Sequence, residues 1–171
     1  MLVDILVKLG ASKANAEKYA TPIQQTMDRY GINTPLRKAH FLAQIFHESG
    51  SLVYNKEIAS GQAYEGRKDL GNTSPGDGPK FCGRGFLQVT GKSNYQKASD
   101  YFKEDFISHP EMLETPTYAA LTAGWFWDTH KLNNLADKDD GKGVTKIING
   151  GYNGLQSRME LLARAKKLLN E

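Results

Sequence analysis

A single cysteine, Cys82, in 171 residues excludes an internal disulfide framework. The four histidines are scattered and make no structural zinc site with it, so metal independence and no cofactor are the default expectation. No apolar run approaches membrane-spanning length, and stable membrane insertion is not expected. The opening residues Met1-Leu2-Val3-Asp4-Ile5-Leu6-Val7-Lys8 lack the basic leader, long apolar stretch and cleavage site of a secretory signal, which points to synthesis as a soluble cytoplasmic chain. Internal repeats and low-complexity tracts are missing too. A large charge of one sign is also lacking: the net charge of +3, with a pI near 8.9, suits an anionic surface but requires no nucleic acid.

What is present suffices for one sizeable core. With 39% hydrophobic residues, the chain is expected to form a single domain over 1–171, with a smaller loop- and β-rich lobe at approximately 50–92. Apolar residues at three- and four-residue spacing predict helices over Leu2–Leu9, Ala14–Tyr30, Pro35–Glu48, Asn94–Phe102, Thr117–His130 and Leu155–Asn170. Ser12, Thr34-Pro35 and Thr115-Pro116 read as helix starts, Gly31 and Gly50 as stops, and Asn153 or Gly154 as the opening of the last helix. From Gly50 to Gly91, eleven Gly or Pro residues break every period, which predicts a long ordered loop with at most a short β-ribbon. The expected class is therefore mainly α. Trp125 and Trp127 point to different helix faces, so at least one should pack in the core and the other is a candidate to line a groove, with core packing the favoured expectation for each. The amphipathic last helix should cover a core rather than a membrane.

Chemistry concentrates at Phe46-His47-Glu48-Ser49-Gly50-Ser51. Glu48 falls in the last turn of a helix, where the carbonyl end of the dipole repels a carboxylate and apolar neighbours strip its water. Both effects favour a protonated general acid. Glu57 lies nine residues on, across a loop that can fold back. Two carboxylates with a water between them are the minimal equipment of glycoside hydrolysis. Glu65 is a rival for the second role, although Arg67 offers it a structural ion pair; Glu57 ranks ahead. In Gly83-Arg84-Gly85-Phe86-Leu87-Gln88-Val89-Thr90-Gly91, alternation puts Gln88 and Thr90 on one face, where an amide and a hydroxyl can bind a sugar acetamido group and hold a water.

Other readings of these segments are weaker. Gly85 and Gly91 enclose five residues where a phosphate-binding loop needs four, and the residue four after His47 is Ser51 rather than a zinc-binding histidine. Cys82 and His47 lack an evident third partner for a cysteine peptidase. Asn149, in the glycine-rich corner Ile148-Asn149-Gly150-Gly151, serves equally as a turn residue or as a ligand to an amide. Arg158 reads as a buried ion-pair partner.

Taken together, His47-Glu48-Ser49-Gly50, Tyr64-Glu65-Gly66-Arg67-Lys68-Asp69-Leu70-Gly71-Asn72, the Gly83–Gly91 segment, Asn94-Tyr95 and Ile148-Asn149-Gly150-Gly151 resemble glycoside hydrolase family 19, over roughly residues 35 to 160. The compact phage and prophage endolysin branch is the nearest match. The resemblance implies a lysozyme-like, two-lobed helical fold flanking a substrate groove, with inversion at the sugar carbon. Glu48 would be the proton donor and Glu57 the base, with Glu65 kept as the chitinase-like alternative. Thr90 would hold the attacking water, Gln88, Asn94 and Asn149 would contact substrate, and Arg158 and His47 would support the site. The implied activity is an N-acetylmuramidase acting on the peptidoglycan glycan strand as a monomer, made in the host bacterial cytoplasm and released to the wall by a separate holin. A family 19 chitinase and a non-catalytic wall-binding module are the alternatives.

Overall fold

Side-chain caps set where several helices begin, including the three the sequence predicts. Ser12 Oγ accepts the Asn15 N–H at 3.1 Å, Thr34 Oγ1 that of Arg37 at 3.1 Å, and Thr115 Oγ1 that of Tyr118 at 3.5 Å. The computed structural model describes residues 1–170. Its helices are α1 (Leu2–Leu9), α2 (Lys13–Arg29), α3 (Pro35–Ser49), α4 (Asp77–Lys80), α5 (Lys92–Phe102), α6 (Pro116–Thr129), α7 (Leu132–Asp137), α8 (Gly141–Asn149) and α9 (Leu155–Asn170). Pro35 and Pro116 occupy the first helical turn, where the missing N–H costs nothing. Gly50 closes α3 in the left-handed region at φ +58°. The mainly helical class and all six expected helices are observed. Helices α7 and α8 were not expected, being too short and too rich in Asn and Gly to show a period.

Helix α3 is the axis of the molecule. Its buried run from Ala39 to Phe46 packs on α9, α7 and α8, while α2 carries α1 on one side and α6 on the other. Burying side chains the size of Phe41, Leu42, Ile45 and Phe46 stabilises by about 1.5–3 kcal/mol each relative to exposure. Trp127 is fully buried, edge-on to Phe41 with ring centroids 5.3 Å apart, and its Nε1–H donates to Asn133. Gly124 permits the close approach of α2 to α6, because a Cβ there would lie 2.4 Å from Thr26 and 2.5 Å from Tyr30. As expected, α9 covers the core, and no helix among the described residues is long and apolar enough to cross a membrane.

A second apolar cluster gathers Phe81, Tyr95, Ala98, Phe106 and Leu113, and Trp125 packs against both clusters. Buried Arg84 pins this unit to the loop. Its Nε donates to Glu114 at 2.8 Å, and its Nη1 donates to the Lys80 carbonyl and to Tyr95 Oη. Between α3 and α5 the helical structure is limited to α4 and two 3-10 turns, Gln62–Tyr64 and Lys68–Leu70. The ribbon reduces to two antiparallel bridges, Lys56 to Arg84 and Arg84 to Val89.

Candidate active site

Glu48 ends α3 with about a quarter of its side chain exposed. Its Oε1 accepts from Arg158 Nη2 at 2.5 Å, whereas Oε2 has no partner among the described residues. Arg158 is itself buried and fully engaged, donating through Nε to the Asn153 carbonyl and through Nη1 to Gln44 Oε1 at 2.6 Å. Gln44 Nε2 in turn donates to Thr145 Oγ1 on α8. This chain of bonds ties α9, α3 and α8 together and fixes one edge of the Glu48 carboxylate. Gln44 carries no sequence signal beyond its helical position, and Thr145, on a helix the sequence did not predict, carries none. Arg158, read as a buried ion-pair partner, finds that partner in Glu48.

His47 supports the same corner. Its ring occupies the space above Gly154, where a Cβ would fall 2.4 Å from the imidazole and where φ is +72°, so only glycine fits comfortably. Burial, and then the Arg158 charge, lower the His47 pKa from its usual value, which keeps the ring neutral beside the Glu48–Arg158 pair. His47 Nδ1 lies 3.2 Å from Ser157 Oγ. Asn149 is exposed at the end of α8, and its Oδ1 accepts the Asn153 N–H at 3.1 Å, a turn-forming bond.

The chain reverses immediately after α3. Ser51 and Leu52 both take positive φ, and the fully buried Leu52 anchors the reversal. Residues 55–57 then lie alongside 83–85: the Gly85 N–H donates to the Asn55 carbonyl, and the Glu57 N–H to the Gly83 carbonyl at 2.9 Å. Both Glu57 oxygens are engaged, Oε1 by the Gly83 N–H at 2.9 Å and Oε2 by Tyr64 Oη at 3.0 Å. Burial and the adjacent Glu57 raise the Tyr64 pKa, so the phenol remains a donor. Tyr64 was quoted in the sequence only as part of a motif; nothing in its spacing assigned it to Glu57.

Gly83 is where the second half of the site converges. A Cβ on it would lie 2.1 Å from Gln88 Oε1 and 3.2 Å from Thr90 Oγ1, while its backbone holds Glu57 at both ends. Glu57, Gln88 and Thr90 therefore meet around one residue without a side chain. The expected strand does not produce this arrangement. Gln88 stands at φ +53° in a tight turn closed by the Arg84–Val89 bonds, and the turn turns both side chains toward Gly83.

Glu65 lies elsewhere in the hydrogen-bond network. Its Oε2 accepts the Gly76 N–H and its Oε1 the Gly78 N–H, both at 2.8 Å, a two-pronged clamp on the start of α4. The expected ion pair with Arg67 does not form: both Glu65 oxygens are taken by these backbone N–H groups, and Arg67 pairs with Asp69 on its other side. Cys82 is fully buried, and burial raises its thiol pKa, the opposite of what an attacking thiolate needs.

Beside the Gln88 turn, α5 and α6 enclose a cavity of about 380 Å³ lined by Gln88, Thr90, Asn94, Lys97, Trp125 and His130, among others. Asn94 and Lys97 share one face of α5, and Asn94 Nδ2 is fixed to the Thr90 carbonyl at 2.8 Å. Trp125 is the groove-lining tryptophan and Trp127 the core one. The model of the family described as class I chitinase, glycosyl hydrolase family 19, matches residues 36–145, a span that carries Glu48, Glu57, Gln88, Thr90 and Asn94.

The chain belongs to glycosyl hydrolase family 19. A Haemophilus influenzae family 19 domain-containing protein is 28% identical over 170 residues, covering 81% of this chain and 83% of that one. An Arabidopsis thaliana endochitinase is 36% identical over 130 residues, covering 74% of this chain but only 44% of the plant protein. The chain thus spans less than half the length of that plant relative. Among solved structures, chitinase C of Streptomyces griseus superposes with a TM-score of 0.75 at 21% identity, over 90% of this chain and 70% of that one. A bacterial family 19 chitinase gives 0.72 at 23% identity, over 87% and 85%. These likenesses establish the lysozyme-like helical fold of the family 19 chitinases.

Proposed function

We propose that this family 19 chain is an endolysin-type N-acetylmuramidase that cuts the peptidoglycan glycan strand by single displacement with inversion. The observation that carries the reading is the unequal treatment of two carboxylates. Glu48 has one oxygen tied to Arg158 and one uncommitted, whereas Glu57 accepts from two donors and shares Gly83 with Gln88 and Thr90. Glu48 Oε2 carries the proton to the glycosidic oxygen as the bond to the sugar carbon breaks. Glu57 takes a proton from a water that Thr90 positions, and that water attacks the opposite face of the ring. The product is a hemiacetal of inverted configuration. Gln88, Asn94 and Asn149 bind the sugars, and Arg158 and His47 hold the donor in place.

The anionic wall polymer suits a chain of net charge +3, and the length shared with the bacterial relative suits a compact bacterial enzyme. Chitin is the second reading, favoured by the endochitinase relatives. Digestion of purified peptidoglycan and of chitin oligomers by the native protein and by Glu48→Gln decides between them. New reducing ends at muramic acid that vanish with Glu48→Gln are expected. Cleavage of chitin alone would replace the substrate, and undiminished cleavage by Glu48→Gln would overturn the mechanism.

A further inference from the structure

The cavity between α5 and α6 holds more than a neutral sugar requires. Its wall is apolar along Leu87, Val89 and Trp125, and Trp125 is braced by stacking on Tyr101 with ring centroids 5.6 Å apart. Besides the neutral polar side chains of the lining, Gln88, Thr90 and Asn94 among them, two ionisable groups interrupt that wall. Lys97 is exposed and forms no ion pair among the described residues. His130 stacks on Phe126 with centroids 4.1 Å apart, and its Nδ1 lies 2.9 Å from the Phe126 carbonyl. A carbonyl only accepts, so Nδ1 carries a hydrogen, and the tautomer this bond selects leaves Nε2 as the acceptor.

From this set we infer that the cavity is the specificity pocket for an acidic lactyl-peptide substituent on the sugar bound beside Thr90. Lys97 pairs with a carboxylate of the substituent, His130 Nε2 accepts an amide N–H, and the apolar wall receives the methyl groups. N-acetylglucosamine offers Lys97 no charge and His130 no second amide. The cavity volume lies at the low end for ligand sites, about 300–1,000 Å³, enough for one sugar with a short branch. Because Asn94 and Thr90 line the same cavity, a substituent held there also sets which sugar of an alternating strand is presented to Glu48 and Glu57. The inference rests on the muramidase reading above.

The test is a titration of the protein, followed through the Trp125 indole N–H signal by NMR, with N-acetylmuramyl-L-alanyl-D-isoglutamine, N-acetylmuramic acid and di-N-acetylchitobiose as probes. Substitution of Trp125 by Phe assigns that signal. The muramyl dipeptide is expected to bind more tightly than chitobiose, and Lys97→Glu to reduce the ratio of the two affinities about tenfold, the size of one partly exposed charge-assisted contact. Tighter binding of N-acetylmuramic acid than of the dipeptide would assign the pocket to the lactyl carboxylate itself; the reverse order assigns it to the peptide. Equal affinity for chitobiose and the dipeptide, or a ratio unmoved by Lys97→Glu, would overturn the inference. Cleavage assays on peptidoglycan are separate: muramic reducing ends with no dipeptide preference sink the pocket alone, and their absence despite dipeptide binding sinks the muramidase reading alone.

Discussion

Arg158 reaches Glu48 across 110 residues of sequence, placing Nη2 2.5 Å from Oε1 and spending its other donors on Gln44 and the Asn153 carbonyl. The guanidinium is buried, while the carboxylate keeps an open side. An ammonium could supply the charge but not the three-directional fork. Replacement by Ala would leave Gln44 Oε1 and the Asn153 carbonyl without their donor, and Glu48 without a counter-charge.

Arg158→Ala is therefore expected to lose about 3 kcal/mol of stability in urea unfolding, the scale for breaking a largely buried pair. Arg158→Lys should retain part of that stability and still lose most activity, because Glu48 is no longer held at a fixed angle. Native-like unfolding of the Ala variant would show that the pair does not support the fold.

Glu57 and Glu65 should separate in two different assays. Glu57→Gln is expected to lower turnover by about 10²–10⁴-fold, the range for removing an acid–base group, with unfolding little changed, because the amide oxygen keeps the Gly83 N–H and the Tyr64 hydroxyl can turn to accept from the new amide N–H. Glu65→Gln should keep turnover but lose about 1–2 kcal/mol, since an amide cannot accept from both the Gly76 and Gly78 N–H groups as the carboxylate does. The opposite pattern would make Glu65 the base.

Much of this arrangement can be read along the chain, and the part that cannot has a physical reason. Thr34-Pro35 and Gly50 bound α3 by local chemistry alone, so the position of Glu48 in its last turn follows directly. The nine-residue offset to Glu57 suggested a pair, but its partners Tyr64 and Gly83 come from loop closure over distances no periodicity records. Gln88 and Thr90 were grouped for an incomplete reason: alternation suggested a strand, and a left-handed turn at Gln88 accomplishes the grouping instead. Glu65 and Asp69 stand equally far from Arg67 along the chain, and the choice falls to Asp69 because the Gly76 and Gly78 N–H groups, eleven and thirteen residues from Glu65, occupy its carboxylate. Helix α8 stayed hidden because Gly141 and Gly143 weaken its pattern, although Gly141 is required where Met159 packs 2.7 Å from the site of a Cβ.

Acid should weaken the fold through His40. Its ring is buried with Nε2 2.7 Å from Asp139 Oδ1, and burial lowers its pKa below the usual value despite that carboxylate. Burial alone would raise the Asp139 pKa, but bonds from Lys166 and His40 outweigh it and hold it below the usual range. With the folded-state His40 pKa lowered, the unfolded chain binds more protons as pH falls, so stability is complete above the unfolded value of roughly 6.5 and declines below it. His47, lowered as well, adds in the same direction. Urea midpoints measured from pH 8 to pH 5 should show this decline, and His40→Gln should flatten it; an unchanged slope in the variant would assign the decline to other groups.

Gly83→Ala tests the convergence of the second half of the site. The backbone of Gly83 is not in the left-handed region, so alanine meets no backbone strain there. What it does meet is Gln88 Oε1, 2.1 Å from the new methyl, with Thr90 Oγ1 at 3.2 Å. Gln88 Oε1 is the far end of a flexible side chain whose only bond is a long one, Nε2 to the Gly85 carbonyl at 3.4 Å, so the methyl is accommodated by swinging Gln88 aside. Gly83 is buried, so the cost to stability is expected at the low end of the overpacking range, about 1 kcal/mol, because the crowded atom can move. Turnover should fall at least about tenfold, because the amide leaves the Glu57–Thr90 corner and a displacement of about 1 Å in a positioning group already costs as much or more. Equal turnover in Gly83→Ala and native protein would remove Gln88 from the site and leave Thr90 and Glu57 to hold the water alone.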